Sequence, residues 1–230
     1  MSVSLKDIEK VDVFKGIKKE SVDKILERGK KIELKKNTCL YQDRQILENV
    51  YFILKGKITL CKTNENGESK VIFLLNEGKM INQPIMRKNT SAVECWAFEN
   101  AELLKISFED FEDIMSEDFN LSKNCMMFME YRIRSLYRQL KNSVTINMEK
   151  KLAAKLYRLG TEYGRKLDDS DYTYIELNIT NTYLSKMLGC QRETVSRAMK
   201  SLSDQNVIRT EGRKVYIDME LSRKLFKGND

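Results

Sequence analysis

Gly189-Cys190-Gln191-Arg192-Glu193-Thr194-Val195-Ser196-Arg197, within the longer run Thr180 to Val207, is the stretch that decides how this chain reads. The pattern predicts a short helix, a tight turn at Gly189 and a second helix with one charged face. At about 100° per residue from Arg192, the residues Ser196, Lys200, Glu193 and Arg197 fall at roughly 40°, 80°, 100° and 140°. Val195, Ala198, Met199 and Leu202 fall in the opposite arc, at roughly 240° to 340°. One face can therefore pack on a core while the other presents arginine, glutamate, serine and lysine. Arginine pairs with guanine O6 and N7, and glutamate accepts from cytosine N4. This side-chain set suits base edges in a major groove. Taken alone, the helix reads better as an amphipathic surface helix with solvated charges.

The flanks extend the pattern. Tyr183, Leu184, Met187 and Leu188 supply the apolar face of the first helix. Thr180 is placed to cap it, because a threonine hydroxyl accepts from an orphan backbone amide. Gly189 fits a turn that needs positive φ. Downstream, Val207 to Ile217 reads as two short strands around Glu211-Gly212. A helix-turn-helix followed by such a hairpin is a winged helix. Between Asn181 and Val215, Lys186, Arg192, Arg197, Lys200, Arg209, Arg213 and Lys214 outnumber Glu193, Asp204 and Glu211, an excess that suits a phosphate backbone.

Residues Ile179 to Gly212, with Asp204-Gln205-Asn206-Val207-Ile208 after the Gly189–Arg197 run, closely resemble the DNA-binding end of the cyclic-AMP receptor protein and fumarate-nitrate reduction regulator (Crp-Fnr) superfamily of bacterial transcription regulators. The resemblance implies that Arg192, Glu193 and Arg197 read bases. Ser196 matches the serine of the fumarate-nitrate branch. Lys200, Thr182 and Arg213 complete the expected DNA-binding set. The partners it implies are double-stranded operator DNA, a second copy of the chain, and RNA polymerase.

Composition limits the other classes. The chain has 230 residues, a net charge of +7, five cysteines, one proline and no histidine. The length accommodates two modest domains. The positive charge suggests an anionic partner without naming it. Without histidine there is no Ser-His-Asp triad and no histidine ligation of zinc or haem. No nucleophile elbow, phosphate loop or zinc motif is present, so the chain is not read as an enzyme. The cysteines, Cys39, Cys61, Cys95, Cys125 and Cys190, are scattered without metal-ligand spacing and read as packed thiols. The tight N-terminal cysteine cluster of iron–sulfur relatives is absent. No metal or cofactor is expected. The N-terminus lacks an apolar stretch, and no apolar run approaches membrane length, which predicts a cytoplasmic protein.

From Ile32 to Ile106 the sequence reads as short strands separated by turns, a β-roll or barrel. Val13-Phe14-Lys15-Gly16-Ile17 and Tyr51-Phe52-Ile53-Leu54-Lys55-Gly56, with Gly67 and Gly78, resemble the cyclic-nucleotide-binding-like sensor domain of the same superfamily. From Phe108 to Asn147 the pattern turns helical. Met126, Met129, Ile133, Leu136, Leu140 and Val144 recur at spacings of three and four, a coiled-coil seam with Arg132, Arg134, Arg138 and Lys141 outside it. Such a helix can pack on its own β domain or pair with its copy; the resemblance implies the pair. The acidic run from Glu109 matches no calcium loop and suits a helix start. Leu152, Leu156 and Leu159 mark a further helix over Glu149–Tyr163, and Gly164–Asp171 reads as an exposed loop. The expected architecture is α+β: a sensor β-roll over 1–108, a long dimerisation helix over 109–147, and a winged helix-turn-helix domain over 148–230.

The resemblance breaks at the effector pocket. Cyclic-AMP-binding relatives carry a Gly-Glu pair for the ribose hydroxyl and an arginine for the cyclic phosphate. Here Asn82-Gln83 and Thr90 stand in their places, with Arg87 and Lys88 nearby as alternative cations. A threonine cannot supply a guanidinium's charge-assisted contacts. The sensor is therefore expected to take another effector, to respond to thiol oxidation, or to have none. A different class also fits the whole: a signalling module whose C-terminal domain contacts protein.

Overall fold

The structure of the chain, a computed structural model, describes residues 3–85, 89–141, 147–168 and 170–227. It comprises two units, Met1–Tyr137 and Arg138–Asp230.

In the first unit, helices α1 (Leu5–Lys10) and α2 (Lys19–Arg28) precede seven strands. These are β1 (Lys30–Leu34), β2 (Cys39–Tyr41), β3 (Asn49–Lys55), β4 (Ile58–Thr63), β5 (Ser69–Leu75), β6 (Glu94–Ala97) and β7 (Ala101–Ser107). They form two antiparallel sheets, β1-β7-β3 and β2-β6-β4-β5. The apolar run of β3 follows from burial on both faces, since successive side chains point to opposite sides of a strand. Phe52 and Leu54 enter a core with Phe14, Ile25 and Phe111, while Ile53 enters a second core with Ile58, Leu60, Ile81 and Leu103. The rings of Phe14, Phe52 and Phe111 cluster with centroids 4.8 to 6.4 Å apart.

The helical stretch expected as one long helix over 109–147 is two helices, α3 (Phe108–Glu117) and α4 (Phe119–Lys141), with residues 142–146 outside the described set. The break is at Asp118, which is fully buried. Its carboxylate accepts from the N–H groups of Asn120 and Leu121 at the start of α4, and from Lys18 N–H and Ser21 Oγ, both at 2.7 Å. The acidic face of α3 pairs with α2, through Arg28–Asp113 at 2.7 Å and Lys24–Glu117 at 2.8 Å.

In the second unit, α5 (Met148–Tyr163) buries Leu152, Leu156 and Leu159. The strands β8 (Gly164–Lys166) and β9 (Tyr172–Ile175) follow, then α6 (Asn181–Leu188), α7 (Arg192–Asp204), β10 (Ile208–Glu211), β11 (Lys214–Asp218) and α8 (Met219–Lys227). The sheet order is β10-β11-β9-β8, antiparallel throughout. Gly164–Asp171, expected as a loop, thus begins as an edge strand. Its three residues are all exposed and carry no alternating pattern. Backbone pairing with β9 and an Arg165–Glu176 ion pair at 2.8 Å hold it. Its glycine permits close approach: a Cβ on Gly164 would lie 2.0 Å from the Gly160 carbonyl oxygen. Among the described residues, no helix is long and apolar enough to cross a membrane.

Candidate DNA-reading helix and effector cavity

The two helices of the second unit are set by local chemistry. Thr180 Oγ1 accepts from Tyr183 N–H at 3.1 Å and caps α6. Gly189 ends α6 at φ 67°, ψ 48°, the left-handed conformation that a side chain would strain, and its N–H donates to Ser185 O at 2.8 Å. The chain then turns into α7, whose buried face is Val195, Ala198, Met199 and Leu202, the arc expected from the sequence.

Opposite that face, Arg192, Glu193, Ser196, Arg197 and Lys200 are exposed on α7, as are Thr182 on α6 and Arg213 in the β10–β11 turn. Among the described residues, Arg192, Glu193, Arg197 and Lys200 make no ion pair, whereas nearby Arg209 pairs with Glu211 at 3.0 Å and lies over the Tyr216 ring. The helix therefore offers uncommitted charges from a rigid, core-anchored element. Arg192 and Arg197 lie about 1.4 turns apart, roughly 7.5 Å along the axis.

On α4, the seam residues Met126, Ile133, Leu136 and Leu140 are 44–68% exposed, and Met129 is half-buried. Val144 lies outside the described residues. A second stripe of the same helix, Leu121, Cys125 and Phe128, packs on the β-roll core. The helix thus packs on its own domain by one face and leaves a contiguous apolar face bare, a feature that marks an interaction surface.

Arg132 continues the packed stripe rather than the solvated one. The sequence placed it with Arg134, Arg138 and Lys141 outside the seam; it is outside, yet only 9% exposed. Its guanidinium reaches into a cavity of about 340 Å³ between the β-roll and α4. One terminal nitrogen donates to Ile81 O at 2.7 Å. The Phe128 and Phe73 rings lie 4.6 and 5.2 Å from its centre. Burial pushes its pKa down to about 10, countered by Tyr41 and Cys95, so it remains a cation at neutral pH. The spacing 121, 125, 128, 132 was the available signal: the arginine occupies an apolar position.

The other groups singled out for the pocket are committed elsewhere or lie at its rim. Asn82 is buried, accepting from Tyr51 N–H and donating to Asn49 O, both at 3.0 Å. Gln83 is exposed at the cavity edge, and Thr90 is exposed and bridged to Ile46. Arg87 and Lys88 lie outside the described residues. Cys61, Cys95 and Cys125 are buried; burial raises the thiols of Cys95 and Cys125, the latter to about 12, which suppresses the reactive thiolate. Burial also raises half-buried Cys39 and Cys190.

A model of the cyclic nucleotide-binding domain matches residues 31–118, and one of the Crp-like helix-turn-helix domain matches residues 150–221. The chain belongs to the Crp-Fnr superfamily. It is 23% identical over 184 residues to the cAMP-activated global transcriptional regulator CRP of Salmonella typhimurium, covering 79% of this chain and 86% of that protein. It is 24% identical over 187 residues to the cAMP-activated global transcriptional regulator Vfr of Pseudomonas aeruginosa, with the same coverage. The structure of FixK2 from Bradyrhizobium japonicum superposes with a TM-score of 0.76 at 14% identity, covering 88% of this chain and 99% of that one. This Crp-Fnr chain is accordingly a DNA-binding transcription regulator, with a cyclic-nucleotide-binding-type β-roll and a winged helix-turn-helix domain.

Proposed function

We propose that the chain acts as a homodimer whose α7 helices read two operator half-sites, and that cyclic AMP is not its effector. Arg192, Glu193 and Arg197 contact base edges. Ser196 and Lys200 support them, and Thr182 and Arg213 contact phosphates. The carrying observation is the exposed charge set of α7, without ion pairs among the described residues, opposite a buried apolar face. In this reading residues 1–108 sense, 109–147 dimerise and 148–230 bind DNA, in the cytoplasm, with RNA polymerase as the protein partner at the promoter.

The bare face of α4 supports pairing. Two-fold dimers of such helices address half-sites about one duplex turn apart. Against cyclic AMP stands the chemistry of the cavity: where the cAMP-activated relatives' family pattern has a glutamate and an arginine, this chain has Gln83 and Thr90, neither charged.

Selection of bound duplexes from a random pool tests the proposal. A palindromic consensus is expected, with affinity falling steeply as salt rises through counterion release. Failure to enrich any sequence would refute operator reading and return the protein-contact alternative.

A further inference from the structure

We propose that the β-roll cavity binds a small monocarboxylate with a compact apolar body, and that Arg132 is the cation receiving its carboxylate. As regulation this rests on the reading above; as binding it stands separately.

The first observation is an incomplete guanidinium. An arginine carries five donors. Nη2 of Arg132 donates to Ile81 O and, at 3.4 Å, to Met80 O, while Nε is buried with no acceptor among the described residues. No Asp or Glu lines the cavity, and none lies within ion-pair distance of Arg132 among the described residues. A buried charge without a counter-charge is costly to the fold. A bound anion would supply the missing counter-charge and an acceptor for Nε.

The second observation is the surrounding wall. Leu47, Leu60, Phe73, Ile81, Val93 and Met129 present apolar surface to the space. Of the nearby polar side chains, Asn82 ties strand backbone together and Ser91 Oγ donates to Val93 O at 2.5 Å, which leaves the exposed Gln83 at the rim. A phosphate needs more donors than one guanidinium provides, whereas a carboxylate matches the planar fork in a bidentate manner.

The test is calorimetry on the full-length, DNA-free protein, with phenylacetate and 4-methylpentanoate as aromatic and aliphatic probes. Phenylacetamide and 4-methylpentanamide are the neutral controls, and inorganic phosphate and cyclic AMP the competing anions. At least one acid should bind, with its amide at least about tenfold weaker, since only the acid forms the charge-assisted pair. Arg132→Met should lose the acid's affinity by at least about tenfold without lowering the thermal midpoint, because an apolar side chain replaces an unpaired buried cation. Arg132→Lys, which keeps charge but not the fork, should fall between them. Binding of neither acid, equal binding of acid and amide, preference for phosphate or cyclic AMP, or undiminished acid binding by a folded Arg132→Met would each overturn the proposal. Operator binding by the wild type without acid is measured in parallel, so failure of the regulator reading shows there and leaves the calorimetric result standing.

Discussion

Replacing Ile133 and Leu140 together by lysine should convert the proposed dimer to a folded monomer. Met126, Ile133, Leu136 and Leu140 are 51%, 50%, 44% and 68% exposed in the single chain. Full burial of such a side chain contributes about 1.5–3 kcal/mol, so covering the exposed half contributes about 0.8–1.5 kcal/mol each. Across eight side chains in a dimer that is about 6–12 kcal/mol, against an association cost of about 4–15 kcal/mol. Pairing is therefore marginal enough to break. The double substitution removes half of the gain, about 3–6 kcal/mol, and sets four like charges in one seam. Dimer affinity should fall at least about a hundredfold. Because both side chains are largely exposed before pairing, circular dichroism should show the fold retained. Sedimentation velocity at micromolar concentration reads the outcome. A wild-type monomer, or a variant that stays dimeric, would refute the reasoning.

Arg197→Ala should lower the ratio of operator to scrambled-DNA affinity by about 1–3 kcal/mol per half-site, and an unchanged ratio in a mobility-shift titration would remove Arg197 from the base-reading set. Glu193→Ala should relax specificity while leaving non-specific affinity intact or higher, since an acid near phosphates is lost. Asp118→Ala should cost about 2–3 kcal/mol in urea unfolding, through the lost cap and the donors left unpaired. Burial alone would raise the Asp118 pKa, but hydrogen bonds from Lys18, Ser21, Leu121 and Asn120 outweigh it and hold the carboxyl below its usual value. Its contribution is thus complete above the unfolded value near about 3.9 and is lost as pH falls through the lower folded value, so the wild-type advantage over Asp118→Ala should shrink below about pH 4. Neither cyclic AMP nor a mild oxidant should change operator binding; a reversible oxidant effect abolished by Cys95→Ser or Cys190→Ser would make the chain a redox sensor instead.

Elements that declare themselves through side-chain periodicity were legible in the sequence. The angular reading of α7 matched its buried face residue for residue, because one stripe of an amphipathic helix must enter a core. The strands β3, β4, β5 and β7 were visible as apolar runs between turns. β2 and β8 were not, being three-residue strands held by backbone pairing, to which side-chain patterning is blind. The break at Asp118 was hidden for a related reason: its partners Lys18 and Ser21 lie about a hundred residues away in sequence. Arg132 lies outside the seam as read, but its burial went unread because arginine in a helical heptad defaults to solvent. Only the cavity beside it, assembled from β2, β4, β5 and α4, shows why it turns inward.

Met129, Ile133 and Leu136 belong at once to the bare face of α4 and to the wall of the cavity. A cavity occupant and a second copy of the chain would therefore press on the same three side chains from opposite sides. Thermodynamic reciprocity then applies: whatever factor the occupant changes in subunit affinity, the second subunit returns in the occupant's affinity. The apparent dissociation constant for any cavity ligand should consequently drift with total protein concentration across the range where monomers become dimers. In such a molecule, cellular abundance is itself an input to the sensor.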